Sequence, residues 1–268
     1  VILFGRNIRD ANQVRSLLKA VRECAGSETW AAIDEEGGRV SRISWPPFCG
    51  RKQAEEHGLL YAEDPGVAKQ AVYLDAQTIG YALHELGFTH NCAPVLDVFH
   101  PSGNAIIGNR SYGEDIGAIS DLGLACIRGL HEAGIEAVGK HFPGHGRADA
   151  DSHLSVPYVR SSLEVLLTEA EPFHYAINHG LKHVMTAHVI YTEVEEKVAT
   201  MSGYWLHNVL RDRFGFNGSI WSDDLSMNGV GTDISDATRR ALVAGCQVLL
   251  VCEPEDVTEL YRDMPNAL

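Results

Sequence analysis

A short pattern that recurs along the chain limits the folds open to it: an amphipathic stretch, a glycine, an apolar residue and then a short β-rich run. The glycine and its apolar neighbour occur at five places, Gly87-Phe88, Gly134-Ile135, Gly180-Leu181, Gly215-Phe216 and Gly245-Cys246. Glycine accepts the left-handed backbone that commonly ends a helix. Each pair therefore predicts a helix that ends just before a strand.

Seven short runs have the composition of buried strands. They are residues 1–4, 30–34, 89–98, 137–142, 183–188, 219–225 and 248–253. Because these runs are mostly apolar rather than alternating, they are typical of parallel strands covered on both faces. Helical spacing of apolar residues lies between them, most clearly after the Asp64-Pro65 cap up to Gly87 and over 116–134.

The alternation of strands and helices predicts an α/β fold with a parallel sheet. We expect one domain over residues 1–268, a length that suits a (β/α)8-like TIM barrel of about 250 residues. Since an eight-stranded barrel needs one more strand than the seven runs supply, we expect its first strand and its C-terminal tail to lie outside this sequence. A doubly wound open sheet is the alternative, but no glycine-rich phosphate loop follows an early strand, which favours the barrel.

The charge of the chain limits the partners that we expect it to bind, and the spacing of its cysteines predicts their chemical state. With 22 Lys+Arg against 36 Asp+Glu, the net charge is −14, and no basic run is present, so nucleic acid and anionic membrane surfaces are not expected partners. No apolar stretch approaches the roughly 18 residues of a membrane span. No basic leader is visible, and we expect a cytoplasmic protein. The six cysteines form no CxxC pair, which predicts free thiols.

Acids, bases and cations stand at the ends of five of the seven predicted strands. These ends are Asp34-Glu35-Glu36, Asp97, Lys140-His141, His188 and Asp223-Asp224. In a parallel barrel the loops after the strands meet at one face, where chemistry takes place. Each residue alone could equally cap a turn or pair with a neighbour. Because adjacent strand residues face opposite ways, only one of Asp223 and Asp224 is expected to point into a site, and the spacing leaves open which.

The segment 140–153 carries the densest set of reactive groups. Its proline and glycines exclude a regular helix, so His141 and His145 are not a zinc pair on one helix face, and we expect a mobile loop able to act as a lid. Asp151 and His153 lie two residues apart. A carboxylate beside an imidazole fixes the tautomer of the ring and suits a proton donor. Two solvated loop residues are the alternative interpretation.

Five motifs, in this order, resemble those of glycoside hydrolase family 3 and, more narrowly, of its β-N-acetylglucosaminidases. They are Asp34-Glu35-Glu36-Gly37-Gly38-Arg39-Val40, Asn109-Arg110-Ser111-Tyr112, Lys140-His141-Phe142-Pro143-Gly144-His145-Gly146, Asp151-Ser152-His153 and Ser222-Asp223-Asp224-Leu225-Ser226-Met227. The resemblance covers nearly the whole chain. It implies a single family 3 catalytic domain with a (β/α)8-like barrel that acts as a retaining glycosidase.

The resemblance also implies a role for individual residues. Asp223 is similar to the family's nucleophile, and His153 to its acid/base with Asp151 as partner. The positions that resemble those binding the sugar's hydroxyl groups are Asp34, Arg42, Arg110, Lys140 and His141. Because a histidine replaces the usual second carboxyl group, the common separation of about 5–5.5 Å between two carboxyl groups does not transfer. Glu35 stands where this subgroup usually has glutamine, which adds a negative charge beside Asp34.

The reaction implied is hydrolysis of terminal β-linked N-acetylglucosamine from cell-wall-derived glycans and muropeptides, as in peptidoglycan recycling, without cofactor or metal. A family 3 β-glucosidase or β-xylosidase is one alternative, although those enzymes usually take their acid/base from a second domain. A metal-dependent barrel hydrolase that uses His141, His145, His188 and an aspartate is another, and sensitivity to chelators would favour it. A sugar-binding protein without turnover is the third.

Overall fold

The computed structural model describes residues 1–263, which fall into two compact units. The first unit contains Val1–Leu96 and Asn109–Gly139, and the second contains Asp97–Gly108 and the chain from Lys140 onward. In the part of the chain that the structure describes, no helix combines the length and the apolar character that crossing a membrane requires.

Parallel strands joined by long helices make up the first unit. Its strands are β1 (Ile2–Leu3), β2 (Ala32–Ile33), β3 (His90–Asn91) and the first part of β4 (Glu136–Phe142). They pair in that order, and every pair is parallel. The helices are α1 (Ala11–Ala25), α2 (Ala54–Glu63), α3 (Pro65–Leu86) and α4 (Ile116–Glu132).

The second unit repeats the alternation from the end of β4 onward. Its further strands are β5 (Tyr158–Val159), β6 (His183–Thr186), β7 (Ile190–Tyr191), β8 (Ser219–Asp224) and β9 (Val248–Leu250). Strands β6, β8 and β9 follow β4 in the sheet, and β5 pairs with β7 in a separate parallel sheet. The helices are α5 (Leu163–Glu169), α6 (Glu171–Asn178), α7 (Ile234–Ala244), α8 (Pro254–Asp263) and the π-helix Tyr204–Arg213.

The predicted alternation is confirmed, and each of the seven predicted runs contains one strand of the main sheet. The glycines of the recurring pattern all have positive φ, from 67° at Gly215 to 116° at Gly245, as the helix ends require. The run 89–98 was predicted too long, because only two of its residues form β3. Pro94 interrupts it, since proline has no N–H to give to a neighbouring strand. The small sheet of β5 and β7 was not predicted.

Helices α3 and α4 of the first unit approach closely through glycines. A Cβ on Gly80 would lie 2.7 Å from the Cβ of Ala133, and a Cβ on Gly129 would lie 2.4 Å from the carbonyl oxygen of Tyr73. Helix α3 begins at the predicted cap, where the Asp64 carboxylate accepts two backbone N–H bonds of 2.9 and 3.0 Å. The packing therefore requires these two glycines, and the cap explains where α3 starts.

An aromatic cluster of the second unit fixes the end of β4. The ring of Phe142 meets Phe173, Phe214 and Trp205 edge-on, with centroids 5.5, 6.1 and 6.3 Å apart. Phe142, Phe173 and Trp205 are wholly buried. Edge-to-face pairs of this kind add to the stabilisation that burial provides. The cluster therefore holds in place the strand end that carries His141.

Candidate active site

Strand β8 ends in two carboxylates that have different surroundings. The Oδ1 atom of Asp224 accepts the backbone N–H groups of Ser226 and Cys252, both at 3.0 Å, and so closes the turn after the strand. The Oδ1 atom of Asp223 accepts the N–H of Asp224 at 2.8 Å. Within residues 1–263, no side chain is hydrogen-bonded to the Asp223 carboxylate. Asp223 is therefore the one whose oxygens remain available for a substrate, a choice that strand spacing left open and the family resemblance made in favour of Asp223.

Positive charge and histidines surround Asp223. Burial by itself raises the pKa of Asp223, but attraction to His141, His188 and Lys140 and the hydrogen bond from Asp224 outweigh burial, so the pKa lies below its usual value. Lys140 and His141 are buried at the end of β4. Asp223 is therefore ionised at neutral pH, which is the state that a nucleophile requires.

Asp97 is a buried carboxylate that accepts hydrogen bonds from the start of the 140–153 segment. Its Oδ2 lies 2.7 Å from Nδ1 of His141, and its Oδ1 accepts the backbone N–H of His145 at 2.7 Å. Both oxygens lie 3.3 Å from the backbone nitrogen of His141. Asp97 thus fixes the orientation of the His141 ring. Sequence reasoning placed Asp97 at a polar strand end, with a structural role such as binding backbone amides as the alternative to a role in a site, and the structure shows that structural role.

His188 and His145 are both buried and neutral at pH 7. Nε2 of His188 donates to the carbonyl oxygen of Asp224 at 2.9 Å, and Nδ1 accepts from the hydroxyl of Thr200 at 2.7 Å. Nε2 of His145 lies 3.2 Å from Oγ of Ser152. Burial lowers the pKa of His188, and burial followed by repulsion from His141 lowers that of His145 to about 4. Sequence reasoning placed His188 at a strand end and His145 in a family motif, but gave them a chemical role only in the metal alternative.

Both ring nitrogens of His188, one of the residues of the metal-dependent alternative, have partners within the protein, so this ring has no lone pair left for a cation. Among residues 1–263, no three His, Cys, Asp or Glu side chains are grouped as a metal site requires. All six cysteines are free thiols.

The 140–153 segment divides into a buried half and an exposed half. Residues 141–148 are mostly buried, and only from Asp149 does the chain reach the surface. The expectation of a mobile lid over the whole segment is therefore wrong for its first half, because Asp97 binds the backbone at His141 and His145. Glycine and proline here shape a buried turn rather than loosen a loop.

The exposed half brings Asp151 and His153 together. Nδ1 of His153 lies 2.8 Å from Oδ1 of Asp151, which also accepts the backbone N–H of His153 at 2.9 Å. Burial raises the pKa of Asp151, but these hydrogen bonds and the attraction of His153 lower it below its usual value. The His153 side chain is 58% exposed. The pair is a carboxylate and an imidazole in contact, with the ring open to solvent.

In the first unit, the predicted sugar-binding residues occur in ion pairs. Nη2 of Arg42 lies 3.4 Å from Oδ2 of Asp34, and both side chains are partly buried. Arg110 makes a two-pronged contact with Glu36, with two nitrogen–oxygen distances of 2.8 Å. Such a contact fixes the plane of the guanidinium group. Glu36 was noted as part of a strand end but not predicted as a site residue.

Glu35 is wholly buried beneath the segment that carries Arg42. Its Oε2 accepts the N–H groups of Arg42 and Ile43 at 2.8 and 3.3 Å. Its Oε1 lies 3.5 Å from the guanidinium group of Arg51, which is also paired with Asp75 at 2.7 Å. Burial raises the pKa of Glu35, against the hydrogen bonds and the charge of Arg51. The hydrogen bonds and Arg51 therefore offset only part of what burial costs the charge that the sequence places at Glu35.

Comparisons with known proteins agree with this picture. A family model described as "Glycosyl hydrolase family 3 N terminal domain" matches residues 1–267. The chain is similar to proteins named Beta-hexosaminidase, with 38% identity over 269 residues in Methylobacillus flagellatus (98% of this chain, 76% of that protein) and 40% over 259 residues in Tolumonas auensis (94% and 75%).

A solved structure extends the likeness to the fold. The crystal structure of NagZ from Neisseria gonorrhoeae in complex with N-trifluoroacetyl-D-glucosamine matches with a TM-score of 0.90 at 36% identity, covering 97% of this chain and 76% of that one. This match confirms the predicted (β/α)8-like fold class.

Proposed function

The chain belongs to glycosyl hydrolase family 3 and is a glycoside hydrolase, and from this premise we propose that it removes terminal β-linked N-acetylglucosamine from cell-wall-derived glycans and muropeptides. The names of the β-hexosaminidase relatives and the N-acylglucosamine analogue held by the gonococcal NagZ support this choice of sugar. The single family model over residues 1–267 supports one catalytic domain over residues 1–268.

The observation that carries the proposal is the state of Asp223. This carboxylate is ionised, is attracted by the charges of His141 and Lys140, and among the described residues accepts only the N–H of Asp224. One of its oxygens can attack the anomeric carbon as the bond from that carbon to the leaving oxygen breaks. The product of this step is a sugar bound covalently to Asp223, so the configuration of the final product is retained.

His153 is proposed as the group that moves the proton. Asp151 holds Nδ1, so Nε2 gives its proton to the leaving oxygen in the first step. In the second step the same nitrogen takes a proton from water while the water oxygen attacks the anomeric carbon and releases Asp223. The ionised Asp151 stabilises the imidazolium form that each cycle requires.

The sugar-binding roles are proposed from the family resemblance. They are assigned to Asp34, Arg42 and Arg110 of the first unit and to Lys140 and His141 of the second. Glu36 supports the role of Arg110 by fixing its guanidinium plane, and Asp97 supports that of His141 by fixing its ring. We place the reaction in peptidoglycan recycling in the cytoplasm, with a soluble muropeptide as the substrate and without a cofactor or metal.

A panel of three aryl β-glycosides tests the proposal: the 2-acetamido sugar, the glucoside, which differs from it only at C2, and the xyloside, which also lacks C6. We expect the 2-acetamido sugar to be cleaved with kcat/KM roughly 10²-fold or more above that of the glucoside and the xyloside, since a site built around the amide group rejects analogues that lack it. EDTA should have no effect, and the first-formed product should be the β-anomer. Preference for the glucoside, loss of activity in EDTA, or an α-anomer would each contradict a different part of the proposal.

A further inference from the structure

Ser152 is a buried residue in an exposed loop. It lies between Asp151 and His153, yet it is only 2% exposed, whereas Leu154 at the tip of the loop is 75% exposed. A serine in an exposed loop normally faces water. Its burial indicates that the loop is attached to the rest of the second unit at this residue.

The first attachment joins the loop to the turn that follows β8. The carbonyl oxygen of Ser152 accepts the backbone N–H of Gly229 at 2.7 Å, and the carbonyl oxygen of His153 accepts from Nδ2 of Asn228 at 3.2 Å. This turn, Asn228–Val230, starts five residues after Asp223. The approach is so close that a Cβ on Gly229 would lie 2.6 Å from the Ser152 carbonyl oxygen.

The second attachment joins the loop to the buried half of the same segment. Oγ of Ser152 lies 3.2 Å from Nε2 of His145, whose backbone N–H is held by Asp97 at 2.7 Å. His145 is 3% exposed, and burial keeps its ring neutral, so the contact is a buried hydrogen bond between an uncharged imidazole and a hydroxyl group. Hydrogen bonds thus connect Asp97 through His145 to Ser152, the residue between Asp151 and His153.

We propose that Ser152 is a positioning residue that acts through His153, holding the acid/base at a fixed place relative to Asp223 by its contacts with Gly229 and His145. The inference rests on the proposed function, because it assumes the roles given to Asp223 and His153. Its physical basis is that a proton donor misplaced by about 1 Å can lower the rate of a reaction by about 10²-fold.

Three substitutions release the loop in different ways. Ser152→Ala removes the bond to His145, Asn228→Ala removes the bond to the His153 carbonyl, and Gly229→Ala pushes against the Ser152 carbonyl. Ser155→Ala is the matched control, because Ser155 is exposed and lies three residues along the same loop. Asn228 is itself exposed, so its substitution leaves the packed interior unchanged.

The first readout is the dependence of kcat/KM on the leaving group. We expect Ser152→Ala and Gly229→Ala to lose about 10- to 100-fold on N-acetylglucosaminides with poor leaving groups, but less than about 3-fold on activated aryl glycosides, which need little protonation. Asn228→Ala should show the same selectivity to a smaller degree, and Ser155→Ala should match the wild type. Equal losses on both substrate classes, or no loss, would overturn the positioning role.

The second readout does not depend on activity. Hydrogen–deuterium exchange over residues 149–155 should be faster in Ser152→Ala and Gly229→Ala than in the wild type and in Ser155→Ala. Unchanged exchange would overturn the inference by itself. If the wild type cleaves no N-acetylglucosaminide, the proposed function fails, and the exchange measurement still decides whether Ser152 holds the loop.

Discussion

Asp97 and Asp223 are two carboxylates of the second unit that stand at ends of predicted strands and use their oxygens in opposite ways. Asp97 is wholly buried and accepts hydrogen bonds from the ring and backbone of His141 and from the backbone of His145. Within residues 1–263, the Asp223 carboxylate accepts one N–H, from Asp224. Both have pKa values below the usual range despite burial, so their charge does not distinguish them. The difference lies in the hydrogen bonds: a carboxylate filled with donors holds structure, and one left with a single donor can react.

The largest expected effect is that of Asp223→Asn. The amide cannot attack the anomeric carbon, so kcat/KM for an aryl β-N-acetylglucosaminide should fall roughly 10⁴-fold or more, and no glycosyl-enzyme should be trapped. The free energy of unfolding should change by less than about 1 kcal/mol, because asparagine keeps an oxygen that can accept the N–H of Asp224 and the lost charge attraction is offset by the lower cost of burying a neutral group. Mass spectrometry detects the glycosyl-enzyme, and denaturant titration measures the free energy of unfolding.

Asp224→Asn is the matched control for this experiment. It keeps the Oδ1 acceptor that closes the turn at Ser226 and Cys252, so it should retain activity within about 10-fold. Full activity in Asp223→Asn, or equal losses in the two variants, would reject Asp223 as the nucleophile.

Asp97→Asn should show the reverse pattern, with stability affected first. The new amide group would point an N–H at groups of His141 or His145 that now donate to Asp97. A buried donor left without an acceptor in this way costs about 3 kcal/mol in the free energy of unfolding. Activity should fall less than in Asp223→Asn, through the displaced His141 ring. Asp149→Asn, an exposed carboxylate with one bond to the backbone of Tyr158, is the control and should change stability by less than about 1 kcal/mol. An Asp97→Asn protein as stable as the wild type would contradict the structural role that we give to Asp97.

The pH dependence of stability should report His145, which Asp97 holds. Folding lowers the pKa of this ring from its ordinary value of 6.5 to about 4, so the unfolded chain binds more protons between these pH values. Its contribution to stability is present above pH 6.5 and is lost as the pH falls towards 4, by up to about 3 kcal/mol. Denaturant titrations of the wild type and His145→Gln measure it, and the loss should be smaller in the variant. Parallel curves for the two proteins would contradict this expectation.

The smallest effect is expected for Glu35→Gln in the first unit. Glutamine keeps the oxygen that accepts from Arg42 and Ile43, and Arg51 keeps its pair with Asp75. Because the hydrogen bonds from Arg42 and Ile43 both end on Oε2, which the amide oxygen can replace, and Oε1 has no hydrogen-bond partner among the described residues to lose, KM should change less than about 3-fold and stability by less than about 1 kcal/mol. A larger change in KM would show that the charge of Glu35 acts on the substrate.

The sequence predicted best those features that depend on neighbouring residues. The ends of the helices follow from glycine at positions such as Gly87 and Gly245, and the start of α3 from Asp64. The pair Asp151 and His153 is also local, since its members lie two residues apart. Motif spacing and backbone preference are sufficient for such features.

Contacts between distant residues could not be predicted in this way. The bonds of Asp97 reach 44 and 48 residues along the chain, and they make a buried turn out of a segment whose composition indicates a mobile loop. The choice between Asp223 and Asp224 depends on the backbone of Cys252, which lies on the next strand connection. The alternation of side chains along a strand predicts that Asp223 and Asp224 point to opposite faces, but not which of the two bonds to the following turn.

The contact between Gly229 and Ser152 has a consequence for how related sequences can diverge. Any side chain at position 229 would place a Cβ 2.6 Å from the carbonyl oxygen of residue 152. A relative that gains a larger residue after its sixth main-sheet strand must therefore shift the backbone of its Asp-Ser-His loop at the same time. The constraint falls on position 229, and it ties the turn after β8 to the backbone of a loop 77 residues away in the chain.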